Sequence, residues 1–158
     1  MPNTFELISA VTVGSGGASS IDFTSIPSTY TDLCVKFSLR ASLSTNDAKI
    51  EFNGVSTNLS ERAAGGNGSS TYSFNDSLIN PLVNPSTFTS NTFTSSEFYI
   101  PNYAGSSNKS LSQESVQETN ATSANAIMTA GLWSNSAAIS SIKIAPSSGT
   151  FVQYSTAY

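Results

Sequence analysis

Histidine is absent from this chain of 158 residues, cysteine occurs once, and only 10% of the residues are charged. Histidine is the usual general base near neutral pH and the commonest metal ligand, so its absence removes the ordinary route to acid–base catalysis and metal binding. Because Cys34 stands alone, neither an intrachain disulfide nor a cysteine-based zinc cluster can form. We therefore predict no catalytic residues, no metal site and no cofactor.

Basic residues and long apolar runs are also scarce. Six Lys and Arg are scattered along the chain and the net charge is −4, whereas nucleic acid binding needs clustered cations that neutralise phosphates. No apolar run approaches the ~20 residues of a membrane span, and the first residues lack the basic and apolar regions of a signal peptide. We expect a protein synthesised in a cytosol, with neither nucleic acid nor a membrane as its partner.

Small polar residues and aromatic residues are abundant. About two residues in five are Ser, Thr or Asn, and the chain has nine Phe, six Tyr and one Trp. Disordered chains are poor in aromatic residues, so the composition indicates a folded protein. Aromatic residues favour strands, while Ser and Asn favour turns and solvated sheet faces.

The clearest local pattern is strict alternation of apolar and polar residues over residues 32–40. Such a period of two predicts a half-buried strand. Its apolar set is predicted to face inward and consists of Leu33, Val35, Phe37 and Leu39. Lys36 and Arg40 are predicted to face outward.

Further strand candidates are separated by Gly, Asn, Pro and Ser turns. They lie at residues 5–13, 21–23, 48–52, 71–74, 86–89, 97–100, 109–117, 126–133, 139–144 and 151–158. Asn53-Gly54 is the strongest hairpin signal, and the polar segment 109–117 is predicted to lie at or near a sheet edge. Between residues 60 and 91, Pro81 and Pro85 disfavour a central strand, so long loops are predicted there.

No segment combines helical periodicity with a cap and a stop. Short strands at regular spacing are typical of an all-β sandwich or jelly roll. We predict one domain over residues 1–158, an antiparallel, jelly-roll-like β-sandwich of eight to nine short strands.

Three groups of residues could form reactive sites, and each has a simpler explanation. Cys34 is predicted to be inert or to lie in an interface, because a catalytic cysteine needs a nearby histidine. Glu114 and Glu118 are predicted to be solvated carboxylates, since a catalytic pair needs burial to separate its pKa values; hydrolase activity is therefore not expected. The aspartates could contribute to calcium binding, but none lies in an EF-hand-like loop. They are Asp22, Asp32 and Asp47.

Aromatic residues provide the candidate interaction site. Tyr99, Tyr103 and Trp133 could line a groove that stacks on sugars, or they could serve in core and interface packing, where aromatic residues also dominate. We predict that these three residues take part in an interface. Sparse charge and plentiful aromatic residues further predict a homo-oligomer, most simply a trimer.

Two blocks of the sequence resemble a known family. They are residues 14–33, GSGGASSIDFTSIPSTYTDL, and residues 95–158, which contain FYIPNYAGSSNKS, TAGLWSNSAAISSIKIAP and SSGTFVQYSTAY. These blocks are similar to small structural proteins and appended modules from tailed phages of marine and freshwater bacteria, and residues 41–94 match them only loosely. Family members commonly continue with Leu-Tyr-Gly-Ile after the last string, so a short tail is expected to be absent here.

The resemblance implies a virion protein and brings no catalytic residues with it. By analogy, a free-standing compact domain suits a capsid decoration, or cement, protein on the phage head surface, with the major capsid protein as its partner. The alternative implied by the resemblance is a tail-fibre or receptor-binding module that contacts host surface glycans.

Overall fold

The computed structural model describes residues 5–120 and 124–158, and these residues form eleven β-strands and no helix. The strands are β1 (Val11–Thr12), β2 (Ile21–Phe23), β3 (Asp32–Ser38), β4 (Ala48–Phe52), β5 (Leu59–Gly66), β6 (Thr71–Asp76), β7 (Ser95–Pro101), β8 (Lys109–Glu118), β9 (Ala124–Trp133), β10 (Ile142–Pro146) and β11 (Thr156–Ala157).

The strands form two sheets in which every neighbouring pair is antiparallel. The large sheet has eight strands in the order β1-β11-β3-β7-β8-β9-β5-β6, and the small sheet has three in the order β2-β10-β4. The predicted all-β sandwich is therefore confirmed. The strand number exceeds the predicted eight to nine, and two of the eleven strands contain only two residues each.

The connections run partly between the two sheets of the sandwich and partly within the large sheet. From β2 to β5, and again from β9 to β11, consecutive strands alternate between the two sheets. Between these crossings, β5 and β6 form a hairpin and β7, β8 and β9 form a meander within the large sheet. The two longest strands, β8 and β9, are thereby placed inside the large sheet.

The core lies between the two sheets. The four apolar residues of the 32–40 segment are all buried, as predicted, and Lys36 is exposed. Phe37 contacts Phe98 on β7 with ring centroids 5.7 Å apart, and Phe52 contacts Trp133 at 5.4 Å. Tilted aromatic pairs at such distances add to the stabilisation that burial provides.

The small sheet is too narrow to cover the inner face of the large one. Residues 77–94, here called the cover segment, pack against the remainder, with Ile79, Leu82 and Val83 buried. Gln117 of β8 donates a 2.6 Å hydrogen bond to the Val83 carbonyl, and the Leu82 amide donates to Ser115 Oγ at 3.4 Å. Polar inward side chains on β8 thus bond to the main chain that covers them.

This arrangement corrects the predicted position of the polar strand. β8 lies between β7 and β9 and is not at an edge. The prediction rested on the polar character of the segment, but one of its polar sets is buried and includes Gln113, Ser115 and Gln117. A buried polar group is tolerated when it is hydrogen-bonded.

Arg40 was predicted to face outward, and that prediction is wrong. β3 ends at Ser38, the alternation stops there, and Arg40 is only 8% exposed. Its guanidinium donates hydrogen bonds at 2.9–3.3 Å to four carbonyls of the cover segment. These carbonyls belong to Ser86, Phe88, Thr89 and Thr92. The planar fork of five donors makes arginine suited to this role.

Other segments also differ from prediction. Residues 86–89 form a turn, and the 5–13 candidate is paired only at β1 and at Val13, whose amide donates to the Ser155 carbonyl at 2.8 Å. The 151–158 candidate is paired as a ladder only at β11. Asn53 and Gly54 have φ of 53° and 78°, as in the predicted tight turn, but the chain then crosses to the large sheet. Phe52 and Val55 close the turn as an antiparallel bridge with backbone hydrogen bonds of 3.0 and 3.1 Å, so the predicted hairpin is present but is limited to this one bridge.

The register of β3 leads to a stability prediction. Phe37→Ala should lower the free energy of unfolding by about 3–5 kcal/mol, because it removes a buried ring and leaves a cavity. Lys36→Ala should change it by less than about 0.5 kcal/mol, since the exposed side chain of Lys36 forms a surface ion pair with Glu97 and its backbone bonds are kept in the variant. Urea denaturation measures both values, and comparable losses would contradict the register.

The role of Arg40 is tested by Arg40→Lys, which retains the charge and removes the fork. Carbonyls of the cover segment would lose their donors, so a destabilisation of about 1–3 kcal/mol is expected in urea denaturation. Arg62→Lys, at an exposed position of β5, is the matched control and should have little effect. Equal losses in the two variants would show that Arg40 does not anchor the segment.

Candidate interaction surfaces

The outward face of the large sheet carries an apolar stripe at β9. The outward side chains of this strand include Ala126, Met128, Ala130 and Leu132, and Met128 is 67% exposed. The register places Ala64 of β5 and Glu114 of β8 on either side of Met128, and Val116 opposite Ala126. These four β9 residues with Ala64 and Val116 are called the β9 stripe below.

The outward face of the small sheet has a different character. Asp22, Lys143 and Glu51 follow one another across its three strands, and Lys49 lies opposite Ala145. Lys143 Nζ lies 3.4 Å from a Glu51 carboxylate oxygen. A sheet face with alternating charges is well solvated, whereas contiguous exposed apolar residues are typical of interaction sites. The two outward faces therefore differ in what they can bind.

The aromatic residues predicted for an interface are distributed differently. Tyr103 and Trp133 are fully buried, so the prediction is corrected for both. Trp133 shares the inward parity of Ile127 on β9 and packs on Phe52, while the Tyr103 hydroxyl donates a hydrogen bond to the Pro27 carbonyl. Their side chains are core residues and offer no surface to a partner.

Tyr99 is the one of these three that lies on the outward face. It is half-buried on β7, and its hydroxyl donates a hydrogen bond to the Asp32 carboxylate. This bond, with another from the Asn102 amide at 2.9 Å, lowers the pKa of Asp32. Tyr99 is opposite Ser112 of β8, outside the β9 stripe.

The reactive groups considered from sequence are not assembled into a site. Cys34 is half-buried, and burial, followed by the negative charge of Glu97, raises the pKa of its thiol. A thiol that stays protonated is a poor nucleophile. Glu114 and Glu118 are four residues apart on β8, about 13 Å along a strand. That separation exceeds the spacing of paired carboxylates in glycosidases.

Carboxylates do approach one another beside the cover segment. Glu61 of β5 is buried and accepts hydrogen bonds from the Asn80 amide at 3.2 Å and from its side chain at 3.1 Å. Burial raises the pKa of Glu61, the Asn80 bonds oppose this, and the negative charges of Asp76 and Asp47 raise it further. Burial and Asp76 also raise the pKa of Asp47. Within residues 5–120 and 124–158, no three such side chains are grouped to hold a metal ion.

A second surface lies at the edge of the large sheet. Residues 5–10, here called the arm, precede β1 without forming a strand. A groove of about 820 Å³ separates the arm from β3. Its lining includes Leu7, Ile26, Leu33, Val35 and Ile142. Both surfaces use large apolar side chains exposed to solvent, which on the arm include Phe5 at 74% and Leu7 at 68%.

The sequence contained a signal for one of these surfaces. Met128 has the opposite parity to Ile127 and Trp133, so once those two residues are known to face inward, Met128 must face outward. The groove had no such signal, because the apolar alternation of the arm is also that of an ordinary paired strand.

The raised pKa of Glu61 predicts a pH dependence. The folded protein holds this proton more strongly than the unfolded chain, so the contribution is fully present below the ordinary value of 4.5 and is lost as the pH rises through the folded pKa. Gln cannot ionise. The stability of Glu61→Gln relative to the unchanged protein should therefore increase from about pH 4 to about pH 7 in urea denaturation. Glu51→Gln on the small sheet is the control, and a similar increase there would contradict the assignment.

Comparisons with known proteins give no assignment. No protein-family model matches the chain, and neither a curated protein nor a solved structure matches it. Among the described residues there is also no helix that is long and apolar enough to cross a membrane. Function is therefore argued from the surfaces of the protein.

Proposed function

We propose that the protein is a non-enzymatic structural protein of a tailed-phage virion that acts as a multimeric capsid decoration protein. The observation that carries the proposal is the β9 stripe. It is a row of exposed apolar side chains on a sheet whose strands are regularly paired. Central strands of a large antiparallel sheet hold such a strip rigidly, and rigid surfaces lose little conformational freedom on binding.

The chemistry of the stripe suits attachment to a repeated protein surface. Its small side chains allow close approach, and Met128 is an adaptable apolar contact. Association of this kind rests on shape and apolar contact more than on charge. When the subunits of one multimer bind the same shell at once, their contacts add, so each single contact can be weak and attachment still be stable. A ligand that binds only the assembled shell stabilises that shell by mass action.

The identity of the partner comes from the sequence resemblance. Similarity of residues 14–33 and 95–158 to phage structural proteins supports a place on the virion. We propose the major capsid protein as the partner, a trimer as the working form, and the phage head surface as the location. The charged small sheet would then face solvent, and the β9 stripe would face protein.

One observation favours the alternative, a tail-fibre or receptor-binding module. Tyr72 and Phe74 on the edge strand β6 stack with ring centroids 6.4 Å apart and an interplanar angle of 19°. Phe74 is 38% exposed, and the Tyr72 hydroxyl donates a hydrogen bond to Asn125 at 3.2 Å. Exposed rings beside a polar amide are suited to stacking on a sugar.

Met128→Glu tests the proposal, because a charge in the stripe must be desolvated on docking. We expect the variant to remain folded, since the position is exposed, but to bind stripped phage heads at least tenfold more weakly, a loss of about 1.4 kcal/mol. Ser148→Glu adds the same charge in the exposed turn after β10 and should bind normally. Binding is measured by co-sedimentation, and thermal DNA release shows whether bound protein stabilises the head.

Imaging of intact particles separates the two functions. Protein spread over the capsomers supports decoration, and protein confined to the tail contradicts it. Loss of glycan binding in Phe74→Ala, with unchanged head stability in Met128→Glu, would favour the receptor-binding alternative. Normal head binding by Met128→Glu would show that the β9 stripe does not contact the phage head.

A further inference from the structure

The large sheet ends on one side at β6, the outer strand of a hairpin. In the part of the chain that the structure describes, β6 pairs with β5 on one side and with no strand on the other. Its register with β5 runs unbroken from Thr71 to Asp76, so the strand has no bulge. Asp76, at its end, is its one charged residue. A regular edge with so little charge is a template for another strand.

The other edges of the two sheets are protected from such pairing. β1 is two residues long and β2 is three residues long. At the edges of the small sheet, the outward side chains are charged: Asp22 on β2, and Lys49 and Glu51 on β4. Short strands and edge charges both oppose pairing between molecules. Among the described strands, β6 is therefore the edge best suited to bind another strand.

The hydrogen bonds show which backbone groups of β6 point to its open side. In antiparallel strands, every second residue exchanges both of its bonds with the same neighbour. The Asn67 amide donates to the Ser70 carbonyl at 3.1 Å, so these two residues are such a pair. By this alternation, the even-numbered residues of β6 bond to β5, and the odd-numbered residues present their amides and carbonyls to the open side. The odd-numbered residues are Thr71, Ser73 and Asn75.

We propose that β6 pairs with β6 of a second copy of the chain about a two-fold axis at Ser73. Each Ser73 then lies opposite the other, and Thr71 of each copy lies opposite Asn75 of the other. All the outward-pointing amides and carbonyls of β6 are paired in this register, and the two large sheets become one. A two-fold contact closes with two copies and does not extend into a fibre. This contact is called the β6 pair below.

The aromatic side chains favour this register. Between its hydrogen-bonded positions, Tyr72 of each copy lies opposite Phe74 of the other, and side chains at such positions approach most closely. Phe74 is 38% exposed, while Tyr72 already packs against the buried Ile127. Aromatic pairs across strands add to stability. An axis at Phe74 would instead place Tyr72 opposite the Asp76 carboxylate.

The polar side chains are also compatible with a second copy. Asp76 would lie opposite Ser70, so like charges do not meet, whereas directly opposed like charges would destabilise the pair. The residues on the outward face are Thr, Ser and Asn, which can hydrogen-bond across strands. A sugar on the rings of Tyr72 and Phe74 would leave the backbone of the edge unpaired. A second copy pairs the backbone and covers the rings at the same time.

The β6 pair is independent of the capsid proposal. It joins only two copies, so the proposed trimer would need a different contact. Ser73 lies opposite Ala64, and Ala64 lies opposite Met128, all on the outward face. The β9 stripes of the two copies would therefore lie on the same face of the joined sheet, where both could contact one partner surface.

Disulfide trapping tests the register, in a chain that carries Cys34→Ser. Hydrogen-bonded residues on antiparallel strands have Cα atoms about 5.5 Å apart, within the roughly 4.4–6.8 Å that a disulfide spans. Ser73→Cys should therefore form a covalent dimer under mild oxidation. Failure of Ser73→Cys to form this dimer would overturn the proposal.

Thr71→Cys is the matched control. The two copies of residue 71 would lie about 13 Å apart along the strands, so this variant alone should not form a covalent dimer. An equal mixture of Thr71→Cys and Asn75→Cys should form one, because these two positions are opposite each other. Equal yields from Thr71→Cys alone and from Ser73→Cys would show random collision and would contradict the register.

Ser73→Lys gives a second readout, in the chain without added cysteines. It sets two ammonium groups opposite each other at an exposed position, so the chain should fold and the dissociation constant of the pair should rise about tenfold or more in sedimentation equilibrium. Ser148→Lys adds the same charge in an exposed turn and should leave this constant unchanged. Equal weakening by both variants would contradict the proposal. Met128→Glu should not alter trapping through Ser73→Cys, so failure of the β6 pair and failure of the capsid proposal are distinguishable.

Discussion

The unequal width of the two sheets is the constraint on which the rest of the structure depends. Three strands cannot shield the inner face of eight, so the cover segment must act as a third layer without regular secondary structure. Irregular backbone has no ladder to satisfy its polar groups. Gln117 on β8 and Glu61 on β5 supply some of those bonds, and Arg40, just beyond the end of β3, supplies others. The fold thus relies on buried polar anchors where a symmetrical sandwich would rely on apolar packing.

The same constraint separates what the sequence could predict from what it could not. Where the two sheets face each other, as on β3 of the large sheet and β4 and β10 of the small one, the inward residues are apolar in strict alternation, and these strands were predicted. On β8, several inward residues beside the cover segment are polar, and Ser115 and Gln117 bond to its main chain. β8 therefore resembled an edge strand, and β5, with its alanines and glycines, was not identified as a strand at all. Local pattern cannot show which layer a residue will meet.

The alternation of residues along each strand partly indicates which side chains lie at the surface. Trp133 could have been placed in the core from the inward parity that it shares with Ile127, and Met128 on the surface from the opposite parity. Tyr103 lies in the turn after β7, where parity gives no information, and only the fold brings it over the core. The arm was predicted as a strand from a correct alternation, but a strand also requires a neighbour. Within the described residues, no backbone hydrogen bond pairs residues 5–10 with another segment.

The two outward faces would bind by different physics. The β9 stripe lies on strands that are paired on both sides, so only side chains are available and binding would depend on apolar contact. The small sheet carries alternating charges, and these side chains would have to lose their water before a protein docked on them. Attachment through the large sheet would therefore cost less desolvation and would leave the charged sheet in contact with solvent.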